Sequence, residues 1–104
     1  MTTADQIKDL RTRCDALRRY LAIDARRIEL EEEQLRTQAP DFWEDAKRAE
    51  EQMKKVKGIE KWITGYEEAN ALTSEAELAL EFYRDEMLTD EELDTAYAKA
   101  VEAI

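Results

Sequence analysis

Apolar residues recur along the first third of the chain at steps of three and four. Ile7, Leu10, Cys14, Leu17, Leu21, Ile28 and Leu35 fall on one heptad frame, with Asp24 and Glu31 at two positions where that frame asks for apolar side chains. Residues three and four apart share a helix face, so the spacing predicts a helix from about Ala4 to Gln38 with a narrow, coiled-coil-like seam. Such a rod, roughly 50 Å long at 1.5 Å per residue, needs a neighbour running alongside it to cover its stripe. Pro40 supplies the break: it cannot donate a backbone hydrogen bond and disfavours helix at Ala39. Asp41 then reads as an N-cap, with Glu44 completing a capping-box pattern.

The next stripe is Ala46, Ala49, Met53, Val56, Ile59, Ile63 and Tyr66, widened by Trp62, which predicts a second helix over Phe42 to Ala71. Gly58 and Gly65 lie inside it, and either permit close helix approach or mark local looseness. Thr73 and Ser74 read as a stop, and Ser74 with Glu77 as a second capping box. A third helix to about Leu88 would carry Ala76, Leu80, Tyr83 and Met87 on one face, with Leu78 and Phe82 beside it. Thr89 with Glu92 opens a fourth, whose stripe is Leu93, Ala96, Tyr97, Ala100, Val101 and Ile104. The pattern stops on Ile104 without Gly, Asn or a basic last turn. It reads as a fragment of a longer chain, with Tyr97, Val101 and Ile104 left exposed and able to drive an artificial dimer. The expected fold is all-α, a single helical domain over residues 1–104. Its frame is a long antiparallel helical hairpin, coiled-coil-like, with two shorter helices packed on it.

Composition agrees with this reading and narrows the chemistry. Two Gly and one Pro are too few for the turns of an all-β fold, and 40% charged with 43% hydrophobic residues is the mixture of long helices. No His and a single Cys remove the commonest general base, the commonest metal ligand and any intrachain disulfide. No apolar run reaches the roughly 20 residues of a membrane span, and the start has no signal-peptide core, so a cytoplasmic location is expected. Formal net charge is −10. Acids and bases balance up to Tyr66; beyond it only Arg84 and Lys99 stand against 12 acidic residues. That last third repels phosphate backbones, which argues against direct nucleic-acid binding, and suits a basic partner protein or simply a solvated acidic face. Glu91 and Glu92 are its candidate partner contacts.

Few residues invite chemistry. Cys14 sits on the seam without a His or second Cys to activate it and reads as a buried structural thiol. Glu29, Glu31, Glu32 and Glu33 point around a helix rather than into a calcium-binding loop. No phosphate loop, nucleophile elbow or metal-spaced cluster is present. The expectation is no catalytic residue, no metal and no cofactor. Asp24 has two readings: an exposed residue where helices splay, or a register-fixing partner for a basic residue across the hairpin. Phe42 and Trp43 read as an aromatic plug over the end of the bundle, or as a surface hot spot.

Two patches are more specific. Leu17, Arg18, Arg19, Tyr20, Leu21, Ala22, Ile23 and Asp24, followed by Leu30-Glu31-Glu32-Glu33, resemble the first helix of the bacterial peptide chain release factor 2 family. Pro40-Asp41-Phe42-Trp43-Glu44-Asp45, with Ala49 and the Lys-rich stretch from Lys54 to Lys61, resembles the same family's next element. The signature residues are Leu17, Tyr20, Leu21, Asp24, Pro40, Asp41, Phe42 and Trp43. The sister release factor 1 family has a related helical domain without this tryptophan corner. The match covers roughly residues 5–65; beyond Tyr66 only helical character and acidity agree. The resemblance implies the N-terminal helical domain of a factor that reads UGA and UAA stop codons on the ribosome. Partners implied with it are ribosomal stalk-base proteins and the class II release-factor GTPase. The family's Ser-Pro-Phe codon-reading loop and Gly-Gly-Gln hydrolysis loop do not occur in these residues, so positioning and protein contact are implied, without catalysis. The competing expectation is a free-standing coiled-coil adaptor or structural protein whose seams build a homo-oligomer.

Overall fold

The computed structural model describes residues 1–104 and contains helices but no strands. The order is α1 (Ala4–Tyr20), α2 (Ile23–Arg36), one 3₁₀ turn (Phe42–Glu44), α3 (Ala46–Arg84) and α4 (Asp90–Ala103). With 39 residues α3 is about 58 Å long, nearly the whole 61 Å of a molecule only 21 by 18 Å in its other dimensions. The expected all-helical class is observed. Of the two expected short helices only the last is separate, as α4, because residues 46–84 form one rod.

The reason lies at Thr73 and Ser74. The Thr73 hydroxyl donates to the Ala69 carbonyl one turn back at 2.8 Å, a bond that leaves the helical backbone intact. Ser74 and Glu77 do not form the expected capping box; both accept from Arg11 of α1 instead. The rod ends at Arg84 through Glu86, whose φ of 61° is left-handed, with Glu86 N–H on Tyr83 O and Met87 N–H on Phe82 O. These paired bonds are the Schellman termination that glycine usually supplies. Thr89 and Glu92 do make the expected capping box for α4, and Thr3 with Gln6 makes another for α1. At the proline corner the cap shifts: Asp41 makes no capping bond, and Asp45 instead accepts from Lys47 N–H and Arg48 N–H.

The first expected helix is also two. Ala22 has φ 50° and ψ 49°, and its N–H bonds Arg19 O, so the chain leaves α1 at Leu21 and re-enters helix at Ile23. This shifts the buried face by two residues. Before the break Ile7, Leu10 and Cys14 are buried and Leu17 and Leu21 half-buried; after it Ile23 and Glu33 are buried, with Arg26 and Leu30 half-buried. Ile28 and Leu35, expected on the seam, are 61% and 58% exposed. An alanine in the left-handed region is strained by its Cβ. Ala22→Gly is therefore expected to raise stability by about 1 kcal/mol, several degrees of melting temperature by circular dichroism. A continuous helix would respond with the opposite sign, since glycine inside a helix costs about 1 kcal/mol.

Cross-helix bonds order the rods. Arg11 reaches Asn70, Ser74 and Glu77; Arg27 reaches Glu67; Gln34 reaches Glu60; and Gln52 and Lys55 reach Glu33. Partner numbers on α3 fall as those on α1 and α2 rise, so α3 runs antiparallel to both. α4 returns along α3 and closes a three-helix core of Ile7, Leu10, Ala76 and Ala100, on which Leu72, Leu80, Tyr97, Val101 and Ile104 pack. Tyr97, Val101 and Ile104 are thus half-buried rather than left open. A second cluster joins Cys14, Ile23 and Tyr66. Below it only α2 and α3 run side by side. A two-helix layer has no third member to cover its outer faces, hence the exposure of Ile28 and Leu35.

Gly58 and Gly65 do not serve a close helix approach. Nothing lies within 4 Å of a Cβ built at either position, and at Gly65 Ala103 and Ile104 line the same cavity from beyond that distance. Neither has a positive φ, and the rod runs unbroken through both.

Candidate functional site

The signature residues gather at two places, the break between α1 and α2 and the corner before α3. The 14 residues of α2, about 21 Å of helix, separate them. At the break, Leu17 and Leu21 are half-buried against the cluster of Cys14, Ile23 and Tyr66, whereas Tyr20 is 86% exposed. Arg26 fastens this elbow to α3. Its Nε donates to the Leu21 carbonyl at 2.7 Å, while its guanidinium carbon stands 5.6 Å from the Trp62 ring centroid.

Asp24 lies off the seam. Its carboxylate accepts from Arg18 at 2.6 Å and stands 3.8 Å from Arg27, with the side chain largely in water. The hydrogen bond to Asp24, reinforced by its charge, raises the Arg18 pKa. Arg18 and Asp24 flank Ala22, so the pair staples the break within one strand of the bundle. It is not a register-fixing pair across the hairpin, and Asp24→Leu has no seam to complete.

At the corner, Pro40 and Asp41 are exposed and Phe42 half-buried. Phe42 and Trp43 meet edge to face, with centroids 4.8 Å apart and planes at 84°. Trp43 is 69% exposed. The pair is not a plug over a bundle end, since Trp43 presents most of its surface to water.

Glu91 and Glu92 sit in the first turn of α4, at the opposite end of α3 from the corner. Both are exposed. Glu92 has a structural task, because its carboxylate accepts from Thr89 N–H and from the Thr89 hydroxyl. Glu91 has no such bond.

Three polar constellations carry no sequence signal that singles them out. The Arg11 guanidinium donates to Glu77, Asn70 and Ser74 at 2.6, 2.7 and 3.0 Å, and the Glu77 hydrogen bond raises the Arg11 pKa against the opposing effect of burial. Glu33 is buried yet satisfied: Gln52 donates to it at 2.7 Å and Lys55 stands at 3.3 Å, lowering its pKa. Asp94 accepts from both the backbone N–H and the hydroxyl of Thr2, at 2.7 and 2.6 Å, tying the chain's start to α4. Those two bonds hold the Asp94 carboxyl below its ordinary value of 3.8. A depressed folded-state pKa contributes stability above the unfolded value and loses it as pH falls through the folded one. Between pH 7 and pH 2 the Asp94→Asn variant is therefore expected to lose less stability than the parent chain, as read by urea denaturation at each pH.

No group of three or more His, Cys, Asp or Glu side chains is arranged to hold a metal ion, and no helix is long and apolar enough to cross a membrane. What the surface offers is exposed aromatics at two bends, an acidic tip, and a cavity of about 420 Å³ beside Trp62. Comparison with protein-family models, curated proteins and solved structures returns no match.

Proposed function

We propose that the chain is the N-terminal helical domain of a release factor of the type that reads UGA and UAA. It acts in the cytoplasm as a rigid, coiled-coil-like hairpin spacer that positions the factor through protein contacts and performs no chemistry. The reading rests on the paired signature, Leu17 to Asp24 and Pro40 to Asp45. Exposure at both patches supports it: Tyr20 and Trp43 contribute little to the fold yet stand outward at the two bends. Large aromatics kept in water are typical anchors of protein interfaces. The acidic tip at Glu91 and Glu92 supplies the second contact, toward basic stalk-base proteins or the class II release-factor GTPase.

The test is co-sedimentation of the chain with ribosomes, and direct binding to the isolated stalk-base proteins and the GTPase. Glu91→Lys reverses charge without touching the cap; Glu92→Gln removes charge while keeping a capping acceptor. Binding that falls in these variants, or in Tyr20→Ala and Trp43→Ala, supports the reading. Absence of binding to all of these partners removes it. The competing adaptor reading draws on the exposed, heptad-spaced Ile28 and Leu35 of α2. It predicts a concentration-dependent oligomer in sedimentation equilibrium that Ile28→Glu dissolves.

A further inference from the structure

The heptad frame of the first third continues in sequence across the point where the helix breaks. At about 100° per residue, a helix running straight through Ala22 would carry Leu10, Cys14, Leu17, Leu21, Ile28 and Leu35 on one side and turn Ile23 and Leu30 to the other. The left-handed Ala22 reverses this. Ile23 is buried and Leu30 half-buried on α3, while Ile28 and Leu35 are 61% and 58% exposed. Each face of α2 thus has two large apolar residues to lay on α3. The straight arrangement also has a matching register. The Cys14 thiol stands 3.8 Å from the Asn70 side-chain oxygen on the antiparallel α3. Two heptads along both rods Ile28 would meet Val56, and three heptads along Leu35 would meet Ala49, both buried residues of the α3 seam.

Bonds that a straight helix lacks hold the bent arrangement. Arg18 and Asp24 pair at 2.6 Å across the break; six residues apart on a continuous helix, they would point about 120° away from each other. The Leu21 carbonyl, which a continuous helix would give to the Ala25 N–H, accepts instead from Arg26 Nε, and that guanidinium lies over Trp62. Glu33 is held by Gln52 and Lys55. Against these bonds stand an alanine strained at φ 50°, a carboxylate carried into the helix interface and two apolar side chains left in water. Asp24 and Glu31, the polar positions of the heptad frame, oppose the straight arrangement, because it would turn both carboxylates toward α3. Two packings of the same residues with opposing contributions of this kind make a two-state element.

We propose that the break at Ala22 is a conformational switch with two seats for α2 on α3. The bent seat, the one observed, displays Ile28 and Leu35 and stacks Arg26 on Trp62. The straight seat turns α2 by about half a revolution and joins it to α1 as one rod. It buries Ile28 against Val56 and Leu35 against Ala49 and returns Glu33 to water. The Arg18–Asp24 pair is the catch: a binding partner that takes up either charge favours the straight seat, and so does salt, since the pair is exposed. The apolar patch of Ile28 and Leu35 is open to a second copy only in the bent seat. Leu21 and Asp24 are also signature residues, but the two seats follow from spacing and bonds alone, under either functional reading.

In a Cys14→Ala chain, Ile28→Cys with Val56→Cys reads the straight seat directly. In the bent seat the two thiols lie on opposite sides of α2, a helix diameter or about 10 Å apart, beyond disulfide reach. Asp24→Leu with Glu31→Leu removes the catch and completes the stripe of the straight seat, yet costs the bent seat no buried contact, since both side chains are exposed there. Slow intramolecular cross-linking under mild oxidation is expected in the cysteine pair alone. The rate should rise at least about tenfold with the two leucines and fall with Ala22→Gly, which relieves the bent seat, while helical circular dichroism is retained throughout. In a Trp43→Phe background without added cysteines, the leucine variant should shift Trp62 emission toward that of Arg26→Met, which has no cation over the ring. No cross-link in the leucine variant, equal rates in the three chains, rates that merely follow their urea midpoints, or unchanged Trp62 emission would each overturn the proposal. A cross-link that joins two copies would make Ile28 a dimer contact and overturn it as well.

Discussion

Ile23→Ala is expected to lower stability by about 3 kcal/mol, roughly 10–15 °C in melting temperature, whereas Ile28→Ala changes it by less than about 0.5 kcal/mol. Both are isoleucines of the same helix, five residues apart. Ile23 is fully buried beside Cys14 and Tyr66, at the point where α1, α2 and α3 meet, and its loss opens a cavity in a region with few other apolar contacts. Ile28 is 61% exposed on the outer face of α2, where alanine gives up little contact and gains helix propensity. An unbroken heptad would reverse the two results, since it places Ile28 on the seam and Ile23 beside it. Thermal and urea denaturation of the two variants, compared with the parent, distinguishes the two phases directly. Equal losses, or a larger loss at Ile28, would remove the two-residue shift from the account.

Arg11→Ala is expected to cost about 2 kcal/mol, more than the 0–1 kcal/mol of an ordinary surface ion pair. One planar guanidinium satisfies Glu77, Asn70 and Ser74 on successive turns of α3, and the side chain is only 26% exposed. Arg11→Lys retains the charge but not the fork, and is expected to recover less than half of the loss. A double-mutant cycle with Glu77→Gln isolates the charged pair, for which a coupling of about 1 kcal/mol is expected. If lysine restores full stability, the arginine acts as a point charge, and its hydrogen bonds to Asn70 and Ser74 contribute nothing.

Much of the helical content was legible because the stripes are local. Val56, Ile59, Ile63 and Tyr66 mark their own face by spacing alone, and Leu93 with Ala100 does the same. The break at Ala22 was hidden for an equally local reason. It uses neither Gly nor Pro, the residues that ordinarily announce a chain leaving the helix. Thr73 and Ser74 misled because a hydroxyl can cap a helix or bond back into one, and the choice here goes with an arginine about 60 residues away. The same holds for Glu33, an acid on an expected solvent face that is buried because Gln52 and Lys55 arrive from α3. At the candidate surfaces, sequence picked out Tyr20 and Trp43 as signature residues, but their exposure is a property of the bends. The cavity beside Trp62 was unreadable, because its walls come from α1, α3 and the end of α4 at once.

The uneven layering of the rods has a consequence for motion. Around Leu10, Ala76 and Ala100 three helices share one interior, and opening any of them exposes apolar surface on the other two. From Ile28 to Gln52 only a pair of helices is present, with Glu33 at its centre held by polar bonds that water can replace. Local unfolding follows the thinner layering. The proline corner and the outer half of α2 are therefore expected to open first, and amide hydrogen exchange there to be faster than at the acidic end. The molecule is thus a stiff handle with a yielding tip, and the tip carries Trp43.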